Sequence, residues 1–379
     1  MNRPQMLIIA ASLAVANAAY AAPASMLEAS NPFARASKLP LNYPAFDKIK
    51  NEHYEPAYAE GMRQEMLEVE AIANNPKPAT FENTIVAMER SGQLLDRVSS
   101  VFGNLSGANT NDTMQSIQRS LSPKLSAHSD SIRLNEKLYA RIKSLYDKRD
   151  KLKLDAESKF LLERYHTDFV RAGAKLSAAD KEKLKAYNSQ LATLQTTFAQ
   201  NVLKEANAAA LVVDKREELA GMSDAAIDAA AANAKTRGME GKFVIPVTNT
   251  TGQAPLSVLT NRATRQRLIE ASMGRGSRGG DFDNRDAVVK LAKLRAERAA
   301  LLGYPNYAAY SLENETAKNP AAVNKLLSEL AKPAVNNARK EAAEIQKIID
   351  AEKGGFKVAA HDWAYYTDKV RAERFSFDE

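Results

Sequence analysis

Cysteine is absent from all 379 residues, which excludes a disulfide framework, a thiolate metal site and a cysteine nucleophile. Stability must therefore come from packing, and an oxidising compartment stays compatible. Histidine is scarce: His53, His128, His166 and His361 are followed by Tyr54, Ser129, Thr167 and Asp362. None of the four opens a His-Glu-x-x-His helix, the pattern that puts two imidazoles on one face to hold zinc. No Gly-x-Ser-x-Gly elbow occurs, so a serine nucleophile is unsupported. After the first twenty or so residues, no apolar run approaches the roughly 18 residues that a membrane helix needs. No long block of one charge sign occurs either. The 53 Lys and Arg and 46 Asp and Glu, net +7, are interspersed along helical stretches, which describes a solvated surface and not a nucleic-acid face.

What is present is ample core material, 45% hydrophobic residues over a length that suits more than one domain or subdomain. Residues 1–21 carry Arg3, an apolar run from Met6 to Ala16 and the small-x-small triplet Ala19-Tyr20-Ala21. That is the pattern of a secretory signal cleaved after Ala21, and it predicts a periplasmic or secreted protein. Residues 22–50, punctuated by Pro32, Pro40 and Pro44, read as an extended arm. Residues 51–210 read as an N-terminal helical region. Its first helix begins near His53, carries Ala57, Gly61, Met66, Val69 and Ile72 on one face, and ends at Asn74-Asn75-Pro76. Thr80 is placed to cap a helix through Arg90. Farther on, Leu138, Ile142 and Leu145 form one apolar face, and Phe160, Leu161, Tyr165 and Phe169 another. Ser177 opens a long helix seamed by Leu184, Tyr187, Leu191, Leu194 and Phe198.

Residues 211–255 form a small β insertion: short β-branched runs at 211–213 and 243–247 flank an Ala-rich helix from about Ser223 to Lys235. Residues 256–379 return to helix, interrupted by a Gly/Arg loop at 274–280 whose spacing is not that of a phosphate loop. A helix to Leu302 stops at Gly303, turns at Pro305 and resumes. Asn319-Pro320 then starts a helix whose buried side is assigned to Val323, Leu326, Leu327 and Leu330, and another follows to about Lys353. Gly354-Gly355 breaks it, and Asp362 to Arg371 begins a last helix with the only tryptophan, Trp363. The fold class expected is mostly α with a small β insertion.

Several ordered motifs are specific. Leu301-Leu302-Gly303-Tyr304-Pro305-Asn306-Tyr307-Ala308 is followed by Ala317-Lys318-Asn319-Pro320. Thr80-Phe81-Glu82-Asn83-Thr84-Ile85, Asn249-Thr250-Thr251-Gly252-Gln253, Asn261-Arg262-Ala263-Thr264-Arg265 and Asp362-Trp363-Ala364-Tyr365-Tyr366 accompany them. Together they resemble the thimet-oligopeptidase family of zinc metallopeptidases, especially its bacterial peptidyl-dipeptidase and oligopeptidase A members. The resemblance implies a neurolysin-like, multi-helix architecture around a deep channel that admits short peptides. It also implies a zinc-binding His-Glu-x-x-His helix well downstream of Tyr366. The chain accordingly reads as the amino-terminal half of an exported peptidase, truncated before the zinc-binding helix, inactive and without bound zinc on its own. The implied partners are short peptides, with no nucleic acid and no membrane, and the parent is expected to be a monomer. A second reading is an exported, non-enzymatic helical scaffold or peptide-binding protein derived from that family.

No catalytic or metal-ligating residue is assigned within the chain, and its substrate-binding residues are left open. His361-Asp362 could suggest an oriented imidazole, but adjacent helical residues do not face each other and a structural or solvent-facing role is expected. Tyr365 and Tyr366 read as aromatic packing. Glu313 with Glu315, and Glu341 with Glu344, read as surface ion-pair partners.

Overall fold

The computed structural model describes residues 25–248 and 252–375. The signal-like segment 1–21 and the first three residues of the motif Asn249-Thr250-Thr251-Gly252-Gln253 lie outside them. Helices dominate, with one small sheet, as the sequence pattern leads one to expect. Residues 25–53 run as bends and short 3-10 turns at Pro40–Asn42, Phe46–Lys48 and Asn51–His53. The chain then forms α1 (Tyr54–Ala73), a five-residue π-helical stretch at Glu82–Val86 running into α2 (Ala87–Glu89), α3 (Gln93–Ala108), α4 (Asp112–Arg133), α5 (Glu136–Tyr146), α6 (Ala156–Arg171) and α7 (Ala178–Ala208). After strand β1 (Leu211–Val213) come α8 (Asp224–Thr236), strand β2 (Phe243–Ile245), α9 (Pro255–Val258), α10 (Arg262–Met273), α11 (Arg285–Leu301), α12 (Tyr307–Leu312), α13 (Pro320–Ala351) and α14 (Ala360–Phe375).

Polar caps set many of these starts. The side chains of Asn135, Ser177, Ser223, Asn261, Asn306 and Asn319 each accept a backbone N–H three residues on, supplying acceptors that a helix start otherwise lacks. Thr80 and Asn83 cap reciprocally: Asn83 N donates to Thr80 Oγ1 at 3.1 Å and Thr80 N to Asn83 Oδ1 at 2.8 Å. Gly303, at φ 85°, ends α11 in the left-handed region that glycine enters without steric cost.

The chain divides into two compact units. The first comprises the described residues up to Met114 together with Asn135–Phe169. Phe33, Tyr54, Tyr58 and Phe102 gather in its core, with the Tyr54 and Phe102 rings edge to face at 4.9 Å, and Leu138, Ile142 and Leu145 of α5 are buried in the same unit. Gly61 lets α1 and α3 close, since a Cβ there would lie 2.9 Å from the Leu95 backbone. His166 stacks on Tyr146 with ring centroids 3.7 Å apart. On α6 the buried apolar side chains are Leu162 and Phe169, whereas Phe160, expected on an apolar face, is 63% exposed. Phe160 and Leu162 stand two residues apart on a helix, so they point to different sides.

The second unit comprises Gln115–Leu134 and the described residues from Val170 onward. Polar side chains of both helices join α4 to α7: Ser122 Oγ of α4 donates to Ala192 O at 2.9 Å, and from α7 Gln200 Nε2 donates to Gln115 O at 2.9 Å and Asn188 Nδ2 to Asp130 Oδ1 at 2.7 Å. The two strands pair antiparallel, Leu211 opposite Ile245 and Val213 opposite Phe243. One core joins Leu211, Val213, Ile245 and Val247 to Leu219, Ile227, Leu256, Leu259 and Leu268. Strand β2 stops at Ile245, immediately before Pro246, which cannot donate to a ladder.

The largest departure from expectation is α13. It is one continuous helix through Pro333 to Ala351, not two. Leu326, Leu327 and Leu330, assigned above to its buried side, are 57%, 56% and 56% exposed, and residues 324–341 are all exposed. Only its C-terminal part is anchored, where Ile345 and Ile349 pack with Tyr366, Trp363, Phe356 and Val358. Periodicity identifies an apolar face; whether anything covers that face is a tertiary fact.

Candidate functional site

Among the described residues, no three His, Asp or Glu side chains converge as a metal site would require. The histidines serve other ends. His53 Nδ1 accepts from Lys50 N at 3.0 Å, His166 stacks as described, and His128 is half-buried within α4. The described residues therefore do not fit a zinc centre.

The most concentrated charge in the interior lies where α10 meets the start of α14. Asp362 is fully buried. At the third position of α14 it reaches back to accept Ala359 N at 3.1 Å, the return half of a capping box at the positive helix end. Arg262 and Arg265, three apart and hence on one face of α10, both close on it. Arg262 is bidentate, Nε to Oδ1 at 2.9 Å and Nη2 to Oδ2 at 2.8 Å. Arg265 gives Nη2 to Oδ1 at 2.9 Å, Nε to His361 O at 3.0 Å and Nη1 to Leu259 O at 2.8 Å. The aromatic residues complete the enclosure: Arg262 lies 4.1 Å over the Phe356 ring and Arg265 4.3 Å over Tyr365. Burial pushes the Asp362 carboxyl upward, but the two guanidinium bonds prevail and hold it below the usual carboxylate value. The same bond raises Arg262.

His361 Nε2 is buried without a hydrogen-bond partner and stands 3.6 Å from Asp362 Oδ2, so the neighbours approach without bonding. Burial lowers the His361 pKa. Tyr365 and Tyr366 pack edge to face at 5.1 Å, and Tyr366 is buried. Chemically the cluster is a crosslink: it ties α10, the Leu259-Thr260 turn and α14 together. The arginines were visible in the sequence only as a motif with helical spacing, and nothing local announced their shared carboxylate about a hundred residues on.

A second cluster is built by the Gly303-Tyr304-Pro305-Asn306-Tyr307 turn. Tyr304 Oη donates to Glu313 Oε2 at 2.5 Å, Arg171 pairs with Glu313, and Arg171 Nη2 donates to Tyr310 O at 2.7 Å. Arg171 and Arg298 lie 4.6 Å and 5.3 Å from the Tyr310 ring centroid. Burial and then Glu313 push the Tyr304 phenol up to about 12, so it stays a donor at neutral pH. Glu344 pairs with Lys347 and Arg374, and Glu341 accepts from Asn337, in keeping with surface roles.

Known proteins share this arrangement of sequence. Residues 256–379, which hold both clusters apart from Arg171, match the model of peptidase family M3. The chain is 43% identical over 349 residues to the dipeptidyl carboxypeptidase of Escherichia coli (strain K12), covering 92% of this chain and 51% of that protein. It is 27% identical over 344 residues to oligopeptidase A of the same organism, covering 90% and 50%. A probable thimet oligopeptidase of Arabidopsis thaliana is 24% identical over 267 residues, covering 70% and 36%. The chain thus spans about half the length of the bacterial relatives it matches. The ordered motifs and the mostly helical fold agree with this likeness: residues 256–379 match peptidase family M3, and the chain is similar to a dipeptidyl carboxypeptidase along 92% of its length.

Proposed function

We propose that the chain is the amino-terminal half of an exported, monomeric zinc peptidase that cleaves short peptides in the manner of a peptidyl-dipeptidase or oligopeptidase. The observation that carries this reading is the 43% identity to a dipeptidyl carboxypeptidase across 92% of this chain, spanning only half of that relative. In this reading the metal ligands and the water-activating carboxylate come from the other half, and this chain contributes framework. The Asp362 crosslink holds α10 and α14 as one rigid piece on which the family-matched segment is built. The exposed apolar face of α13 is the kind of surface that a further half would cover. Export is supported by the signal-like residues 1–21.

The test is reconstitution. The chain alone should hydrolyse no short peptide. Fused to the carboxy-terminal half of the Escherichia coli dipeptidyl carboxypeptidase, it should release dipeptides in a chelator-sensitive reaction. Activity of the isolated chain, or a folded but inactive fusion, would overturn the proposal. Amino-terminal sequencing of exported protein should begin at Ala22.

A further inference from the structure

A groove of about 860 Å³ lies between the arm and the first turns of α3, entirely within the first unit. That size suits a small organic ligand or a very short peptide. Phe33 and Val101, both buried, and Ile49 give it apolar walls. Into it Arg97 brings a half-buried guanidinium whose needs the protein does not meet. Its Nη2 makes one long bond to Phe33 O at 3.4 Å, and its Nε is buried without a partner. Burial pushes the Arg97 pKa down, with no acid to counter it. A desolvated guanidinium lacking an acceptor is destabilising unless an anion supplies one. The groove also carries Arg35, Lys38 and Lys48 against Asp47 and Asp96, an excess of positive charge.

We infer that the groove between the arm and α3 binds a monoanionic carboxylate with an apolar body, and that Arg97 receives the carboxylate. Nε is sealed from the groove, so the carboxylate is received by the Nη edge, where Nη1 is neither sealed nor bonded and Nη2 has only its long bond; that planar edge matches a carboxylate in two parallel hydrogen bonds. The apolar walls take the rest of the ligand, and Asp47 and Asp96 oppose a more highly charged anion. Two sources share this chemistry: the free C-terminus of a short peptide, and a small aromatic or aliphatic acid. The site requires neither zinc nor another half of the protein, so it is independent of the peptidase reading.

The experiment is calorimetric titration of the 379-residue chain with hippurate and hippuramide, and with an N-acetylated tripeptide as its free acid and its amide. Each acid should bind about tenfold or more tighter than its amide, a charge-assisted difference. The tighter of the two acids identifies the source. Arg97→Gln should reduce acid binding to the level of the amide while far-ultraviolet dichroism stays unchanged. Should Arg97→Gln fail to fold, Lys38→Gln with Lys48→Gln on the exposed rim serves instead, weakening the acids about two- to threefold and leaving the amides unchanged. Equal binding of acid and amide, absence of binding, or a folded Arg97→Gln that binds acids like the parent chain would overturn the inference.

Discussion

Asp362 and Arg265 illustrate a buried charge whose removal is costlier than its presence is valuable. Asp362→Ala strands Arg265, itself almost wholly buried, without its counter-charge. We expect a loss of about 3–5 kcal/mol in urea unfolding, the range for breaking one partner of a buried pair. Glu60 gives a pH signature in the other unit. Arg63 bonds it first, burial opposes, and Met26 N and Gln64 add to the lowering, which brings its pKa to about 2. A depressed folded-state value contributes stability that is fully present above the ordinary carboxylate range and is lost as pH falls toward about 2. Glu60→Gln should flatten that acid limb, as followed by circular dichroism. Neither residue was identifiable beforehand as buried. A helical Asp beside Trp363, or a Glu three before Arg63, reads as surface until the distant partners are placed.

Elements were far more legible than their surroundings. The caps at Ser177, Ser223 and Asn319, the stop at Gly303 and the two β-branched runs are local chemistry, and each sits where its residues indicate. The π-helical stretch at Glu82–Val86 had no such signal. The apolar stripe of α13 was legible as a stripe but not as an open one. Substituting Leu326 or Leu330 with Glu should therefore change unfolding free energy by no more than about 0.5 kcal/mol, whereas Ile349→Ala, in the anchored part, should cost about 2–5 kcal/mol. Hydrogen exchange should show the backbone of residues 324–341 opening well before that of α14. Gly61→Ala should cost about 1–3 kcal/mol, because α1 and α3 have no room for the added carbon.

At the scale of the whole molecule, motif order carried the family resemblance, whereas the Asp362 crosslink and the Arg97 groove are visible only in the folded chain. The one tryptophan has a consequence for anyone who unfolds the protein. Trp363 packs beside Ile345, Ile349 and Tyr366, in the second unit, and the first unit has no indole at all. Tryptophan emission is therefore a built-in local gauge, while far-ultraviolet dichroism sums the helices of both units. The two signals should trace separate denaturation curves wherever the units differ in stability. Asp362→Ala should move the emission midpoint, and Glu60→Gln should move only the dichroism in acid. Superimposable curves for both variants would mean that the two units melt as one.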